Sequence, residues 1–263
     1  MIKTIIEKAR YGLPFSDELI IDSHCHFGSF YSTIIPYNTP DEIIKNMDRI
    51  GIDKACFCSS SAGAFGNEML HNQYVADFVN VYPDRLYGYV SLCMNNKETL
   101  LDDYLKCEKM GLHIGVKMHT YNQDVYCLTD SFIHPVYERL NEKNGIILHH
   151  DYGPPGPMEE LLKTYPNISF LAGHLGKSSN QYVKLMNKYE NFYNCTCASL
   201  RYDEIAEFVK KINSEKIIFG SDFTVIDTTL GFGPVLYADI TNEEKLNILG
   251  RNMEKMLNRV KPQ

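Results

Sequence analysis

The chain has no run of about 20 apolar residues, the length a membrane-spanning helix requires, and this sets aside a membrane partner. It also has no block of like charge. Its 26 basic and 33 acidic side chains are interspersed and leave a formal net charge of -7, so there is no footprint for a nucleic-acid backbone, and nucleic acid is not an expected partner. The eight cysteines include no CxxC pair at zinc-site spacing. Cys25, Cys56, Cys58, Cys195 and Cys197 fall in strand-like runs, which suits buried free thiols in a reducing compartment rather than a disulfide framework. Residues 1–17 carry Lys3, Glu7, Lys8, Arg10 and Asp17 and lack the apolar core of a signal peptide, so a soluble, cytoplasmic protein is expected. No Pro/Gly-rich linker, internal repeat or low-complexity segment divides the sequence. A single domain over residues 1–263 is the reading, its first strand near 19–23 and its last helix near 242–258.

What is present is a regular alternation. Thr39-Pro-Asp-Glu42 opens a helix with Thr39 as N-cap, and Ile43, Ile44, Met47 and Ile50 follow at helical spacing until Gly51. Lys54–Cys58 is a buried strand, Leu86–Leu92 a third, and Ile114–Met118 a fourth. A helix through Tyr74, Phe78 and Val81 precedes the third strand, and helices near 98–110, 131–144, 157–165, 179–189 and 202–213 alternate with the fourth strand and with further strands at Ile146–His149, Ile168–Ala172, Phe192–Cys197 and Lys216–Phe219. The last helix opens on Thr241 and Glu244 as a capping box. Eight strands alternating with eight helices predict an α/β fold, a (β/α)8 TIM barrel, with a doubly wound open sheet as the competitor.

In such a barrel, residues that end a strand gather at one mouth. Asp22, His24 and His26 lie at alternate positions of the first strand and are expected to share one face. Lys117 and His119 end the fourth strand, His149 and His150 the fifth, His174 the sixth and Asp222 the eighth. Only His71, His113 and His134 of the nine histidines fall elsewhere, and these read as structural or solvent-facing. His24, His26, His149 and Asp222 supply a set of lone-pair donors for a divalent metal ion, with Asp222 placed to accept the proton of an activated water and His174 to polarise a substrate oxygen. Alternation about the barrel wall predicts Ile147 and His149 pointing inward and His150 outward, with His150 kept as the alternative ligand. The Ser59–Gly66 and Tyr152–Pro157 loops border the mouth and would shape a pocket for a small-molecule substrate.

Asp22-Ser-His24-Cys-His26, Gly115–His119, Ile146–His149, Leu171-Ala-Gly-His174-Leu-Gly176, Phe219-Gly-Ser-Asp222-Phe and Ile248–Asn252 stand in the order of the metal-dependent amidohydrolase superfamily. The chain resembles its amidohydrolase family 2 branch, which includes the aminocarboxymuconate-semialdehyde decarboxylase-like enzymes. The resemblance implies one divalent metal ion, usually zinc, held by His24, His26, His149 and Asp222, with His174 beside the activated water; a two-metal site bridged by carboxylated Lys117 is the alternative. It also implies hydrolysis of a small amide, ester or lactone. The alternative reaction is non-oxidative decarboxylation or hydration of a small unsaturated carboxylic acid, for which Arg201, Lys177, Lys117 and His119 are candidate substrate-binding residues. A non-catalytic metal-binding scaffold is a third reading, opposed by the complete donor set. Relatives are often dimers, which makes a homodimer the resemblance-based expectation.

Overall fold

Short β-branched and aromatic runs extend, and the amphipathic stretches between them coil back over one face. The computed structural model describes residues 4–29, 35, 39–60, 67–119, 128–150, 152–175, 180–199 and 201–261. Its parallel strands are β1 (Ile21–Phe27), β2 (Lys54–Ser59), β3 (Leu86–Gly88), β4 (Val90–Ser91), β5 (Gly115–Met118), β6 (Ile146–His149), β7 (Ser169–Ala172), β8 (Phe192–Cys195) and β9 (Ile217–Ile218). They pair in sequence order, β1 to β3 in one ladder and β4 to β9 in another. β3 and β4 are one barrel position broken at Tyr89, whose N–H donates to the Phe57 carbonyl at 2.8 Å and so continues the pairing with β2. The ring closes where Ser23 N–H donates to Phe219 O at 3.0 Å and Asp222 N–H to His24 O at 2.9 Å. The eight-position TIM barrel expected from the alternation is therefore the fold.

Helices α2 (Pro40–Ile50), α3 (Glu68–Val79), α4 (Leu100–Lys109), α5 (His134–Lys143), α6 (Pro155–Thr164), α7 (Asn180–Lys188) and α8 (Glu204–Ile212) follow successive barrel positions. In α2 the Thr39 hydroxyl accepts from Glu42 N–H, and Ile43, Met47 and Ile50 are buried. Burying such side chains stabilises by roughly 1.5–3 kcal/mol each, so the inward stripe outweighs the cap, worth about 1 kcal/mol. Two helices escaped the sequence reading: α1 (Ile5–Arg10), before the barrel, and α9 (Thr228–Leu236), which tolerates Pro234 inside it. The helix expected at 242–258 is α10 (Asn242–Leu246) and α11 (Asn252–Arg259), joined by a π-helical turn. Its capping box between Thr241 and Glu244 is present.

Burial falls into two layers. Val116, Ile147, Phe170 and Phe192 from the strands pack with helix residues such as Met47, Val75 and Leu161. Ile21, Cys56, Tyr89, Ile146, Leu148, Leu171, Cys195 and Ile218 form the barrel interior, joined by Met253 and Met256 of α11. Gly250, just before α11, lies so close to the Leu19 carbonyl ahead of β1 that a Cβ there would collide with it. The last helix is thereby seated against the strand starts, and the opposite end carries the polar residues. No described helix is long and apolar enough to cross a membrane.

Candidate metal centre

β1 reaches the mouth through a bulge. Asp22 pairs with Ala55 and Cys25 with Phe57, so Ser23 and His24 together stand opposite Cys56. The extra residue shifts the alternation. Cys25 turns into the outer core, whereas His24 turns inward toward Lys117 and Cys197. Asp22 consequently does not share a face with His24 and His26, which corrects the period-two expectation. Its carboxylate instead accepts from His24 N–H at 3.2 Å and from Ser221 N–H at 3.1 Å, with the Ser221 hydroxyl donating to its other oxygen. This clamp ties β1 to the segment that presents Asp222. Gly220 makes the approach feasible: a Cβ there would lie 2.5 Å from Cys195 Sγ and 2.7 Å from His24 Cβ.

Three donors then converge. His24 Nε2 lies 3.1 Å and His26 Nε2 3.2 Å from Asp222 Oδ1. His174 approaches the other carboxylate oxygen, its Nδ1 3.8 Å from Oδ2. Both Asp222, at φ 63°, and His174, at φ 58°, hold left-handed backbone conformations that non-glycine residues seldom adopt. Burial and the neighbouring Lys117 charge push the His24 imidazole well below its usual pKa. Burial works to raise the Asp222 carboxyl, but the imidazoles of His24, His26 and His174 outweigh it and hold the group well below the usual carboxylate range. A neutral imidazole beside an ionised carboxylate is the protonation state that offers lone pairs to a cation.

Further groups surround this set. Lys117, buried on β5, brings Nζ 2.7 Å from His24 Nε2. Cys197 Sγ lies 2.9 Å from His24 Nδ1 and 3.4 Å from His174 Nδ1, and Cys58 Sγ lies 3.4 Å from His26 Nδ1. The sequence reading treated these thiols only as buried cysteines; the spacing of Cys195-Thr-Cys197, like that of His24-Cys-His26, was the signal that one strand aims both toward the interior.

The fifth-position histidines exchange places relative to expectation. Ile146 and Leu148 line the interior and Ile147 the outer layer, so the inward face continues through His150, not His149. His150 Nδ1 is 2.9 Å from His174 Nε2, and its ring is 4.3 Å from that of His119. His149 is fully buried with its ring 4.8 Å from that of Tyr152, a residue of the outer core. Neither His149 nor His150 is in the groups of His, Cys, Asp and Glu donor atoms that lie within 4.8 Å of one another among the described residues, so the distinction between them rests on the direction of the strand faces. Arg201, a candidate for the substrate's carboxylate, has a side chain 64% exposed with its Nη2 3.0 Å from Glu204 Oε1. Lys177 and most of the loop at 59–66 lie outside the described residues.

With this geometry in hand, comparison with known proteins is decisive at the level of family. The sequence matches the amidohydrolase family over residues 21–259. The chain belongs to the amidohydrolase family. Members of that family are metal-dependent enzymes, hydrolases and decarboxylases both. No curated protein sequence matches. Among solved structures, a dihydroxybenzoic acid decarboxylase from Polaromonas with bound manganese is similar at 15% identity and a TM-score of 0.74, covering 92% of this chain and 97% of that one. A 5-carboxyvanillate decarboxylase from Sphingomonas paucimobilis gives 11% identity and a TM-score of 0.70, with 91% and 99% covered. A protein assigned as a 2-pyrone-4,6-dicarboxylic acid hydrolase from Acinetobacter baumannii, with citric acid bound, gives 17% identity and a TM-score of 0.69, also with 91% and 99% covered.

The donor set of this amidohydrolase fits a divalent ion. Ligands about 2.0–2.2 Å from a common ion stand roughly 3 Å from one another, the separation that His24 and His26 each have from Asp222, and all three donors lie within 4.8 Å of one another. The set is buried at His24 and Asp222 and half-buried at His26, mixes imidazole with carboxylate, and has a further imidazole, His174, beside it.

Proposed function

We propose that this amidohydrolase-family chain is a metal-dependent decarboxylase of a small unsaturated or aromatic carboxylic acid. The observation that carries the reading is Lys117, a buried cationic side chain against the donor set, where it can pair with a substrate carboxylate. The decarboxylases among the similar structures support the same direction.

His24, His26 and Asp222 would hold one divalent ion, zinc or manganese, with His150 taking the place first given to His149. The ion supplies a Lewis-acid centre for substrate oxygens. With an ion on His24 Nε2, Lys117 would lose that acceptor and could pair with the substrate's anionic group. The bond between the substrate carbon and its carboxylate breaks, its electron pair stays on the carbon, and carbon dioxide leaves. The carbon takes up one proton in exchange: His174 draws it from solvent at Nδ1, 3.8 Å from Asp222 Oδ2, and passes it on. His150 holds His174 from the far side at 2.9 Å, which keeps the ring in line with Asp222.

Hydrolysis of a small lactone, amide or ester is the second reading, favoured by the low pKa of Asp222. An ionised carboxylate can take the proton of an attacking water while the water oxygen bonds to the carbonyl carbon, then return it to the oxygen or nitrogen that leaves. A panel of hydroxylated aromatic and unsaturated carboxylic acids, lactones, amides and esters separates the two. Carbon dioxide release with loss of one carbon supports decarboxylation. Turnover confined to lactones, amides or esters, with no carbon dioxide, overturns it in favour of hydrolysis.

A further inference from the structure

Cys197 touches both His24 and His174, each through its Nδ1 atom. We infer that Cys197 is a positioning residue whose sulfur fixes the tautomers of these two imidazoles together. A lysine ammonium has hydrogens to donate and no lone pair to offer, so in the Lys117 contact His24 Nε2 is the acceptor. A ring that accepts at Nε2 carries its hydrogen on Nδ1. That hydrogen points at Cys197 Sγ, 2.9 Å away, and the sulfur accepts it. The thiol's own hydrogen is then directed to His174 Nδ1 at 3.4 Å, which leaves His174 with its hydrogen on Nε2 and donating to His150 Nδ1 at 2.9 Å. One direction runs through the chain of contacts from Lys117 to His150.

The consequence is preorganisation. The nitrogen of His24 that faces Asp222 keeps its lone pair, the form a cation needs, whether or not an ion is bound. His174 is held by the same sulfur with its Nδ1 turned to Asp222. Cys195 is a weaker neighbour, its Sγ 3.9 Å from His24 Nδ1, and serves as a control for the presence of any thiol nearby. This inference rests on the proposed metal centre for its functional meaning, and its structural content stands apart from it.

The test uses the full chain labelled with 15N at histidine, both without added metal and loaded with zinc. Long-range proton–nitrogen correlation in the wild type is expected to show His24 with its hydrogen on Nδ1 in both states and, without metal, His174 with its hydrogen on Nε2. Cys197→Ala should give mixed tautomers at both rings and weaken zinc affinity, read by competition with a coloured chelator, by about 10- to 100-fold. Cys197→Ser, which keeps a donor and an acceptor, should recover most of the affinity, and Cys195→Ala should leave the tautomers unchanged. A wild-type His24 with its hydrogen on Nε2 overturns the inference even if Cys197→Ala does not fold. So does a folded Cys197→Ala protein with wild-type tautomers and zinc affinity. Should the tautomers be as stated while no carboxylic acid is turned over, the decarboxylase reading falls and the role of Cys197 stands.

Discussion

Lys117 Nζ and His24 Nε2 lie 2.7 Å apart, so a cationic side chain occupies the nitrogen that faces the Asp222 carboxylate. The two positions compete. An ion on His24 would displace Lys117 from that nitrogen and leave its amine to pair with another anionic group.

Lys117→Met tests that arrangement. Removing the cation relieves repulsion at the ligand nitrogen, so metal binding should be retained or tightened. KM for a carboxylic acid substrate should rise by about 10- to 100-fold, the scale of one lost charge-assisted hydrogen bond. Elemental analysis and steady-state kinetics read the two effects separately. Loss of the metal in this variant would instead make Lys117 part of the ion-holding set.

His149 and His150 predict opposite phenotypes. His150→Ala removes the partner of His174 and the proposed fourth donor, so metal occupancy and activity should both fall with little change in folding stability. His149→Ala empties a buried space against Tyr152 and should cost about 2 kcal/mol in urea unfolding while the metal stays bound. Metal loss on His149→Ala with full occupancy in His150→Ala would restore the first assignment.

Much of the barrel was legible because period-two and period-3.6 patterns alternate without interruption, and caps such as Thr39 and Thr241 mark helix starts. The α9 helix was not, since Gly231, Gly233 and Pro234 remove the usual helical signature and only tertiary packing of Phe232 and Val235 supplies it. At the site, the strand-end rule brought His24, His26, His174 and Asp222 to one mouth. Side-chain direction was the part that failed. A one-residue bulge at Ser23-His24 reverses the face on which Asp22 falls, and no residue type in Asp-Ser-His-Cys-His announces it. At β6 two adjacent histidines fit either parity, and the choice depends on Ile146 and Leu148 lining the interior, a fact of packing.

Asp22 sets a pH signature of its own. Burial pushes its carboxyl up from 3.8 to about 6, against the hydrogen bonds from Ser221 and His24 that work to lower it. A raised folded-state value means that the native protein holds the proton longer than the unfolded chain. The contribution is therefore fully present below about pH 4 and is lost as pH rises through about 6, a span worth roughly 3 kcal/mol. In metal-free protein, Asp22→Asn should flatten the stability profile between those limits, read as urea midpoints across the range. An unchanged slope in the variant would assign the titration to another group.

Asp222 is where metal holding and catalysis part. Its Oδ1 faces His24 and His26 while Oδ2 faces His174, so in the proposed site one carboxylate would serve the ion on one side and a proton on the other. Asp222→Asn keeps the shape and one coordinating oxygen but removes the charge and the basic second oxygen. Metal affinity should weaken, and saturating metal should restore occupancy. With occupancy restored, turnover is expected to remain about 10²- to 10⁴-fold below wild type, because proton transfer and not ion binding has been removed. The paired measurement of bound metal and kcat in the same sample decides it. Near wild-type kcat at full occupancy would remove Asp222 from the proton path, and His174→Asn, in contact with both Cys197 and His150, would then be the variant whose turnover identifies the proton-carrying group.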